Sequence, residues 1–353
     1  MCVARSLARS PVRSCGRYTA LVERHLPAMA GTIQTDHPLV RRHGLLLLSQ
    51  LLLQDFIKWR GLLIFRFIAA TVDDDGEVAT LAQYLLTQPL LTKQPTLLTA
   101  SFVDAMFVFN GHKDHPKYSA AMSGGGAGVM DAVLSLPQLE PFSPEQTKNP
   151  SQTPNDKTAQ RRLDVYRFML GTMSDEQKID VTAKVAHDVL SAVVTGSLDV
   201  DVGSHGECVV RDALAVLALP DIKVSGARNG SKGADGDADA ELEMAMDTGD
   251  ARAAAAAGMA AAKGRLLTKM SRRQLLDHVI PICVALKQRF EALHSPLMRD
   301  LMAYLKELTR NYRSEVGPLF FPSFLSLLLA LSFVPLPTSS SLSRLPQFVH
   351  MLT

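Results

Sequence analysis

Apolar residues recur at helical spacing along most of the chain, and the longest such stretch covers residues 45–86. It holds two apolar-periodic segments, which are separated near Asp55 and followed by an acidic turn at residues 73–76. Apolar positions at this spacing, with arginine and lysine between them, are typical of helices that bury one face. No stretch shows the strict alternation of a half-buried strand. The pattern therefore predicts an all-helical protein.

The chain also matches itself at an offset of 38 residues, which places Asp36 on Asp74 and Leu48 on Leu86. Each copy reads as a helix, a short turn carrying an aspartate four residues before a valine, and a second helix. Two helices in about 40 residues are the signature of HEAT or armadillo repeats, whose pairs stack on one another. We therefore predict an all-α, HEAT/armadillo-type α-solenoid of antiparallel helix pairs with two long disordered loops. An ordinary helical bundle is the alternative.

Shifts in composition divide the chain, because stretches rich in Gly, Pro, Ser and Asp predict loops between the helical segments. The predicted order is an unstructured N-terminus (1–16), HEAT repeats (17–110), a flexible loop (111–157), a helical repeat region (158–218), an acidic loop rich in Gly and Asp (219–250), C-terminal helices (251–315) and an apolar tail rich in Ser and Pro (316–353).

Local signals predict individual helices after the two repeats. Ser174, followed by Gln177 three residues later, has the pattern of a capping box at a helix start. Pro281 either kinks a helix or marks its first turn. The predicted helices are Pro95–Phe109, one that begins at Arg161, one after Ser174 with Val181, Val185, Val189 and Val193 on one face, Val209–Leu217, Ala251–Leu267, Leu275–Leu293 and Leu297–Tyr312.

Charge is distributed unevenly although the net charge of the 353 residues is only +2. Residues 1–66 carry a net charge of +7, residues 201–250 about −7 and residues 263–313 again +7. Two basic regions around an acidic one suit a protein that meets an acidic partner at specific faces. The four cysteines lie far apart, without the spacing of a disulfide framework, which favours a reduced intracellular compartment.

The sequence offers little for catalysis. No Gly-rich loop ends in the Gly-Lys-Ser/Thr of a phosphate site, and no Ser or Cys lies in an elbow-type setting. His112 with His115, and His205 with Cys208, have metal-ligand spacing, but no second pair completes four ligands. We therefore expect no enzyme activity, no cofactor, no metal and no small-molecule substrate.

Basic side chains on the first helices are the candidates for contact with DNA or a protein partner. They suit phosphates or an acidic helix, and a solvated helix face is an equally good interpretation. The candidates are Arg41, Arg42, Lys58, Arg60 and Arg66. Trp59, beside them, is more typical of packing than of base stacking. Ser143 and Thr153, each before a proline, are candidate phosphorylation sites.

The apolar tail at residues 316–353 is a candidate membrane anchor, but it is short. Pro318 and Pro335 enclose a span that as a helix reaches only about 24 Å, against ~30 Å for a bilayer core. Pro322 interrupts even that span. We therefore expect no membrane association, and a tail-anchored protein is kept as the weaker alternative.

Three blocks of the sequence, residues 43–86, 161–191 and 280–315, closely resemble the C-terminal condensin-type HEAT domain of the D-type regulatory subunits of condensin, in their condensin II form. The resemblance covers most of residues 17–315. Residues 1–16 and the tail after Glu315 depart from it, and the loop at residues 119–155 is longer and richer in glycine. The resemblance implies a piece of a longer solenoid, whose tail has the composition of an alternative end.

The resemblance also implies a function. Members of this family are non-catalytic subunits that bind the kleisin, contact the SMC ATPase heads and touch DNA while mitotic chromosomes condense. We therefore expect a nuclear protein that is found on chromosomes in mitosis. A generic HEAT adaptor of transport or trafficking type is the alternative, and it predicts a cytosolic cargo peptide and no DNA affinity.

Overall fold

Helices and the turns between them make up all of the chain that the computed structural model describes, which is residue 22 and residues 25–59, 62–112, 156–201, 203–222 and 251–312. No strand occurs within these ranges. The helices are α1 (residues 25–31), α2 (Pro38–Leu53), α3 (Leu63–Ala69), α4 (Gly76–Leu85, continued through Leu86–Leu90 to Leu91–Lys93), α5 (Leu97–Phe109), α6 (Asp156–Gly171), α7 (Asp175–Lys184, continued through Val185–Leu190 to Ser191–Thr195), α8 (His205–Ala218), α9 (Ala251–Gln274, continued through Leu275–Val279 to Ile280–Ala292) and α10 (Leu297–Tyr312). The all-α prediction is confirmed.

The first two helix pairs repeat at the interval that the sequence predicts. A 3-10 turn follows α1 at Thr32–Gln34, and another follows α3 at Ala70–Val72. The second helices begin at Pro38 and Gly76, so the turns and the helices both recur after 38 residues. Pro38 takes the first turn of α2, where its missing N–H leaves no hydrogen bond unmade. The prediction of antiparallel helix pairs of HEAT type is confirmed by this register.

Equivalent positions in the two pairs differ in exposure. Val40 and Leu47 on α2 are 41% and 46% exposed. Their counterparts on α4, Val78 and Leu85, are 0% and 5% exposed. Helix α4 has α2 packed beside it, whereas no described helix pair precedes α1. The same sequence pattern is therefore buried where a neighbouring repeat is present, as the stacking of helical repeats requires.

Helix α5 occupies the centre of the described helices. It packs against α3, α6, α7 and α8. Ten of its 13 residues are buried, which is typical of a helix that is apolar on all sides. Its aromatic rings reach its neighbours: the ring centroid of Phe102 lies 5.8 Å from that of Tyr166 on α6, and that of Phe109 lies 6.2 Å from that of Phe65 on α3. The core thus joins helices from both sides of residues 113–155.

Helix α7 begins and packs as its local sequence predicts. The Ser174 hydroxyl accepts from the N–H of Gln177, and the Gln177 side chain accepts from the N–H of Ser174, which completes the capping box. The four valines predicted on one face, Val181, Val185, Val189 and Val193, are all fully buried. Helix α9 packs along this helix.

Several predicted helix ends were wrong. Helix α6 begins at Asp156 rather than Arg161, and α8 begins at His205 rather than Val209. The two helices predicted on either side of residues 268–274 are one continuous helix, α9. It contains a π-helical turn at Leu275–Val279, directly before Pro281. A π turn widens the helix locally, which gives room for a proline that lacks an N–H, so α9 passes Pro281 instead of ending there.

The predicted N-terminal segment and apolar tail, and nearly all of the two predicted loops, lie outside the described residues. Among the helices that are described, none has both the length and the apolar character needed to cross a membrane.

We predict that Leu48→Ala lowers the free energy of unfolding by about 2–5 kcal/mol, because the Leu48 side chain is fully buried in α2 and its loss leaves a cavity. Leu47→Ala, on the same helix but 46% exposed, is the matched control and should cost under about 1 kcal/mol. Urea unfolding followed by circular dichroism measures both. Equal losses for the two variants would contradict the assigned register of α2.

Candidate partner-binding surface

The acidic turn before α4 holds three structural elements together. Asp75 Oδ1 accepts from the N–H groups of Glu77 and Val78, both at 3.0 Å, and so caps α4. Asp73 Oδ1 accepts from Arg41 on α2 at 2.8 Å, and Asp74 Oδ1 accepts from Arg161 on α6 at 2.8 Å. The acidic turn predicted at residues 73–76 is confirmed, and it also caps α4.

The guanidinium of Arg41 makes its contacts within the fold. Its guanidinium donates to the carbonyl oxygens of Thr35 and Asp36, both at 2.9 Å, as well as to Asp73. Its side chain is only 14% exposed. Arg41 therefore ties the turn of the first pair to the turn of the second, and little of it faces solvent.

Arg42, by contrast, stays at the surface. Its side chain is 39% exposed and pairs with Glu77, whose own side chain is 74% exposed. Exposed ion pairs contribute about 0–1 kcal/mol, so the guanidinium exchanges Glu77 for another anion at little cost. Arg42 can thus serve a partner without loss of the fold.

Arg66 cannot belong to the predicted surface patch, because it is 2% exposed within α3. Six of the seven residues of that short helix are buried. Burial lowers the pKa of Arg66 to about 10, which leaves the guanidinium protonated at neutral pH. The proposed contact of Arg66 with phosphate or an acidic helix is therefore corrected: its charge lies in the core.

Lys58 lies apart from Arg41 and Arg42, in the exposed turn that follows the C-terminus of α2. The neighbouring Trp59 ring packs edge-on against Phe67 of α3, with centroids 5.4 Å apart, as a packing residue does. Lys58 and Trp59 line a groove of about 360 Å³ between the ends of α2 and α4 and the start of α5. The four predicted basic residues that the structure describes thus do not form one patch.

Arg60, Ser143 and Thr153 lie outside the described residues, and their proposed roles stay predictions. His115 lies outside them too, whereas His205 and His112 are described and have partners of other kinds. His205 Nδ1 lies 2.7 Å from the carbonyl oxygen of Asn110, and the His112 ring packs edge-on against Phe107. In the described part of the chain no group of three potential ligands comes together around a metal position.

A buried polar network connects α5, α6 and α8, and the sequence pattern does not predict it. Asp212 Oδ2 accepts from Arg162 Nε at 2.7 Å, from Asn110 Nδ2 at 2.8 Å and from the Tyr166 hydroxyl at 3.2 Å. A second bond of 3.3 Å, from Arg162 Nη2 to Oδ1, makes the ion pair bidentate. Each residue is at most 7% exposed. The signal available in the sequence was limited to Asn110 and Asp212, which are polar residues in otherwise apolar runs.

The electrostatics of this network keep its groups in their donor and acceptor forms. Burial lowers the pKa of Arg162, but the Asp212 carboxylate, with smaller contributions from Tyr166 and Cys208, raises it, and the pKa is raised overall. Burial, then the charge of Asp212, raises the pKa of Tyr166 well above its usual value, so the phenol stays neutral and donates. The network holds the helices together by hydrogen bonds, and no described group in it is positioned as a nucleophile.

Comparison with known proteins identifies the family. A model of the HEAT repeats of condensin-2 complex subunit D3-like proteins matches residues 221–321, and a model of the non-SMC mitotic condensation complex subunit 1 matches residues 3–135. Condensin-2 complex subunit D3-L of Xenopus laevis is 30% identical over 309 residues, which is 87% of this chain and 18% of that protein. Condensin-2 complex subunit CAP-D3 of Arabidopsis thaliana is 32% identical over 303 residues, 86% of this chain and 20% of that protein.

The chain belongs to the D3-type family of condensin II subunits. Condensin-2 complex subunit D3 of Mus musculus supports the assignment, with 26% identity over 307 residues. The chain spans about a fifth of the length of these D3-type relatives. No solved structure matches it. The resemblance seen in the sequence is confirmed.

We predict that Asp212→Ala lowers the free energy of unfolding by about 3–5 kcal/mol, because it leaves the Arg162 guanidinium buried without its carboxylate. Asp164→Ala on α6 is the control, since the Asp164 side chain is 45% exposed and its pair with Arg167 contributes about 0–1 kcal/mol. Urea unfolding followed by circular dichroism measures both variants. A loss at Asp212 no larger than that at Asp164 would show that the network does not hold the helices.

Proposed function

We propose that the chain acts as a non-catalytic HEAT-repeat subunit of the condensin II complex and supports the complex in condensing mitotic chromosomes. The observation that carries the proposal is 30% identity, over 87% of the chain, to a protein named as a condensin-2 complex subunit. The helical-repeat fold supports it, because stacked helix pairs offer long surfaces to extended partner segments.

The proposed partners are the kleisin and SMC subunits of condensin II, and chromatin through the assembled complex. ATP hydrolysis belongs to the SMC partners in this proposal, and the sequence of the chain contains no phosphate-binding loop. The same proposal places the protein in the nucleus, and on chromosomes during mitosis.

Surface charge indicates which residues of the chain contact its partners. Arg42 is partly exposed and pairs with the exposed carboxylate of Glu77, and Lys58 is exposed beside the groove. Cations of this kind favour specific contacts with acidic segments or phosphates and increase association rates. We assign the partner contacts to these two residues rather than to Arg41, whose guanidinium is occupied within the fold.

The test is retrieval of partners from mitotic nuclear extract with the tagged full chain as bait, followed by mass spectrometry. We expect the kleisin and SMC subunits of condensin II to be enriched together. A bait shown by circular dichroism to be helical that retrieves neither would contradict the proposal, and retrieval of cytosolic transport proteins instead would favour the adaptor alternative.

Charge reversal tests the surface within the same assay. Arg42→Glu should reduce recovery of the complex on the order of tenfold, because it replaces attraction by repulsion at the contact. Lys184→Glu is the matched control, since Lys184 is exposed on α7, remote in sequence from α2, and undergoes the same change of charge. An equal effect of both substitutions would point to overall charge instead of a contact at Arg42.

A further inference from the structure

The groove beside Trp59 has an apolar wall. It is bounded by the end of α2, the turn that follows α2, the end of α4 and the start of α5. Leu52, Ile57 and Leu90 form part of its wall, and each of them is at most 5% exposed. A volume of about 360 Å³ is at the lower end of the range of ligand pockets in proteins, ~300–1,000 Å³. The groove therefore fits one or two apolar side chains of an extended segment and is too small for a whole helix.

Two lysines line the same groove, and they differ in what they bind. Lys93 Nζ donates to the carbonyl oxygens of Leu52 at 2.9 Å and Leu53 at 3.0 Å, and to Asp55 Oδ1 at 2.6 Å. Lys93 thus binds the last carbonyl oxygens of α2, where a cation is favourable because of the helix dipole. Lys58 is exposed, and no described residue pairs with its ammonium. The groove therefore carries one cation that is available to a partner.

Asp55 adds a strained position at the edge of the groove. Its φ of 60° lies in the left-handed region, which is unfavourable for a residue with a side chain and is usually taken by glycine where a helix ends. Its carboxylate, which is 73% exposed, binds Lys93. Strained residues that the surroundings hold in place cluster at binding sites. An incoming carboxylate can also replace Asp55 on Lys93, because the pair is exposed.

We propose that this groove docks an extended acidic peptide segment of a partner protein, with a large apolar side chain between Leu52, Ile57 and Leu90 and a neighbouring Asp or Glu side chain on Lys58. This inference rests on the proposed function, because it treats the surface around Lys58 as a partner-binding surface. It adds the site of contact and the chemistry of the bound segment.

Charge and shape favour a peptide over DNA. Duplex DNA brings a row of phosphates but no apolar side chain for the wall of the groove. Asp55 lines the groove together with Lys58, and its negative charge opposes a row of phosphates more than the single carboxylate that a peptide places at the lysine. An extended peptide that combines an apolar side chain with an acidic neighbour matches both the apolar wall of the groove and Lys58.

The chain provides its own reporter for the test. Trp59 is the single tryptophan of the sequence, and it lines the groove. We would titrate the full chain with a short end-blocked peptide of alternating glutamate and leucine and follow tryptophan emission. The expected result is a saturable change, with Lys58→Glu weakening binding by about tenfold or more and Lys184→Glu leaving it unchanged. Circular dichroism of each variant verifies that the helices are retained.

Three further probes define the chemistry. A peptide with glutamine in place of glutamate, and one with serine in place of leucine, should each bind at least about tenfold more weakly. A short DNA duplex should give no change that depends on Lys58. The inference is overturned if the acidic peptide gives no saturable change at concentrations on the order of 1 mM, or if DNA gives the change that depends on Lys58.

The outcome can be separated from that of the proposed function. If the peptide fails to bind but the same chain retrieves condensin II subunits from extract, the groove assignment is wrong and the proposed function stands. If the peptide binds as expected but no condensin II subunit is retrieved, the groove assignment stands and the proposed function is wrong.

Discussion

A buried carboxylate, Asp212 on α8, and two adjacent arginines near the start of α6 connect the helices on either side of residues 113–155. Asp212 accepts from Asn110, which follows α5, and forms a bidentate pair with Arg162, while Arg161 donates to Asp74 in the turn before α4. The two arginine pairs differ in how much they contribute to stability. The Arg161 pair is exposed and contributes little, whereas the Arg162 pair would leave an uncompensated buried charge if its carboxylate were lost. Helix α5, which packs against both α3 and α8, has its position fixed by this arrangement.

Burial and internal pairing decide which of the described candidate cations remain for binding. Arg41 and Arg162 use their guanidinium groups inside the fold, and Arg66 lies in the core. Arg42 and Lys58 are left at the surface, the first beside an exposed carboxylate and the second beside an apolar groove. The proposed role as a subunit that presents surfaces to partners follows from that division, since a rigid helical array can hold separate contact points at fixed distances.

Sequence reasoning succeeded where the signal was local and failed where it was not. The 38-residue interval, the capping box at Ser174 and the valine face of α7 are encoded within a few turns of chain, and all appear in the structure. The partners of Asp212 are 46 to 102 residues away along the chain, so no spacing rule brings them together. Arg66 was placed on the surface because arginine usually interrupts an apolar face, but the run around it is apolar on every side of the helix.

The measurement that tests this account most directly is urea unfolding of the full chain, followed both by Trp59 fluorescence and by far-ultraviolet circular dichroism. Trp59 lies between α2 and α3 and reports on the first helix pairs, whereas circular dichroism reports on all helices. If the network around Asp212 and the packing of α5 join the helices into one unit, the two transitions coincide. A fluorescence transition that is complete before the loss of helix would show that the first pairs unfold by themselves, and would contradict the account.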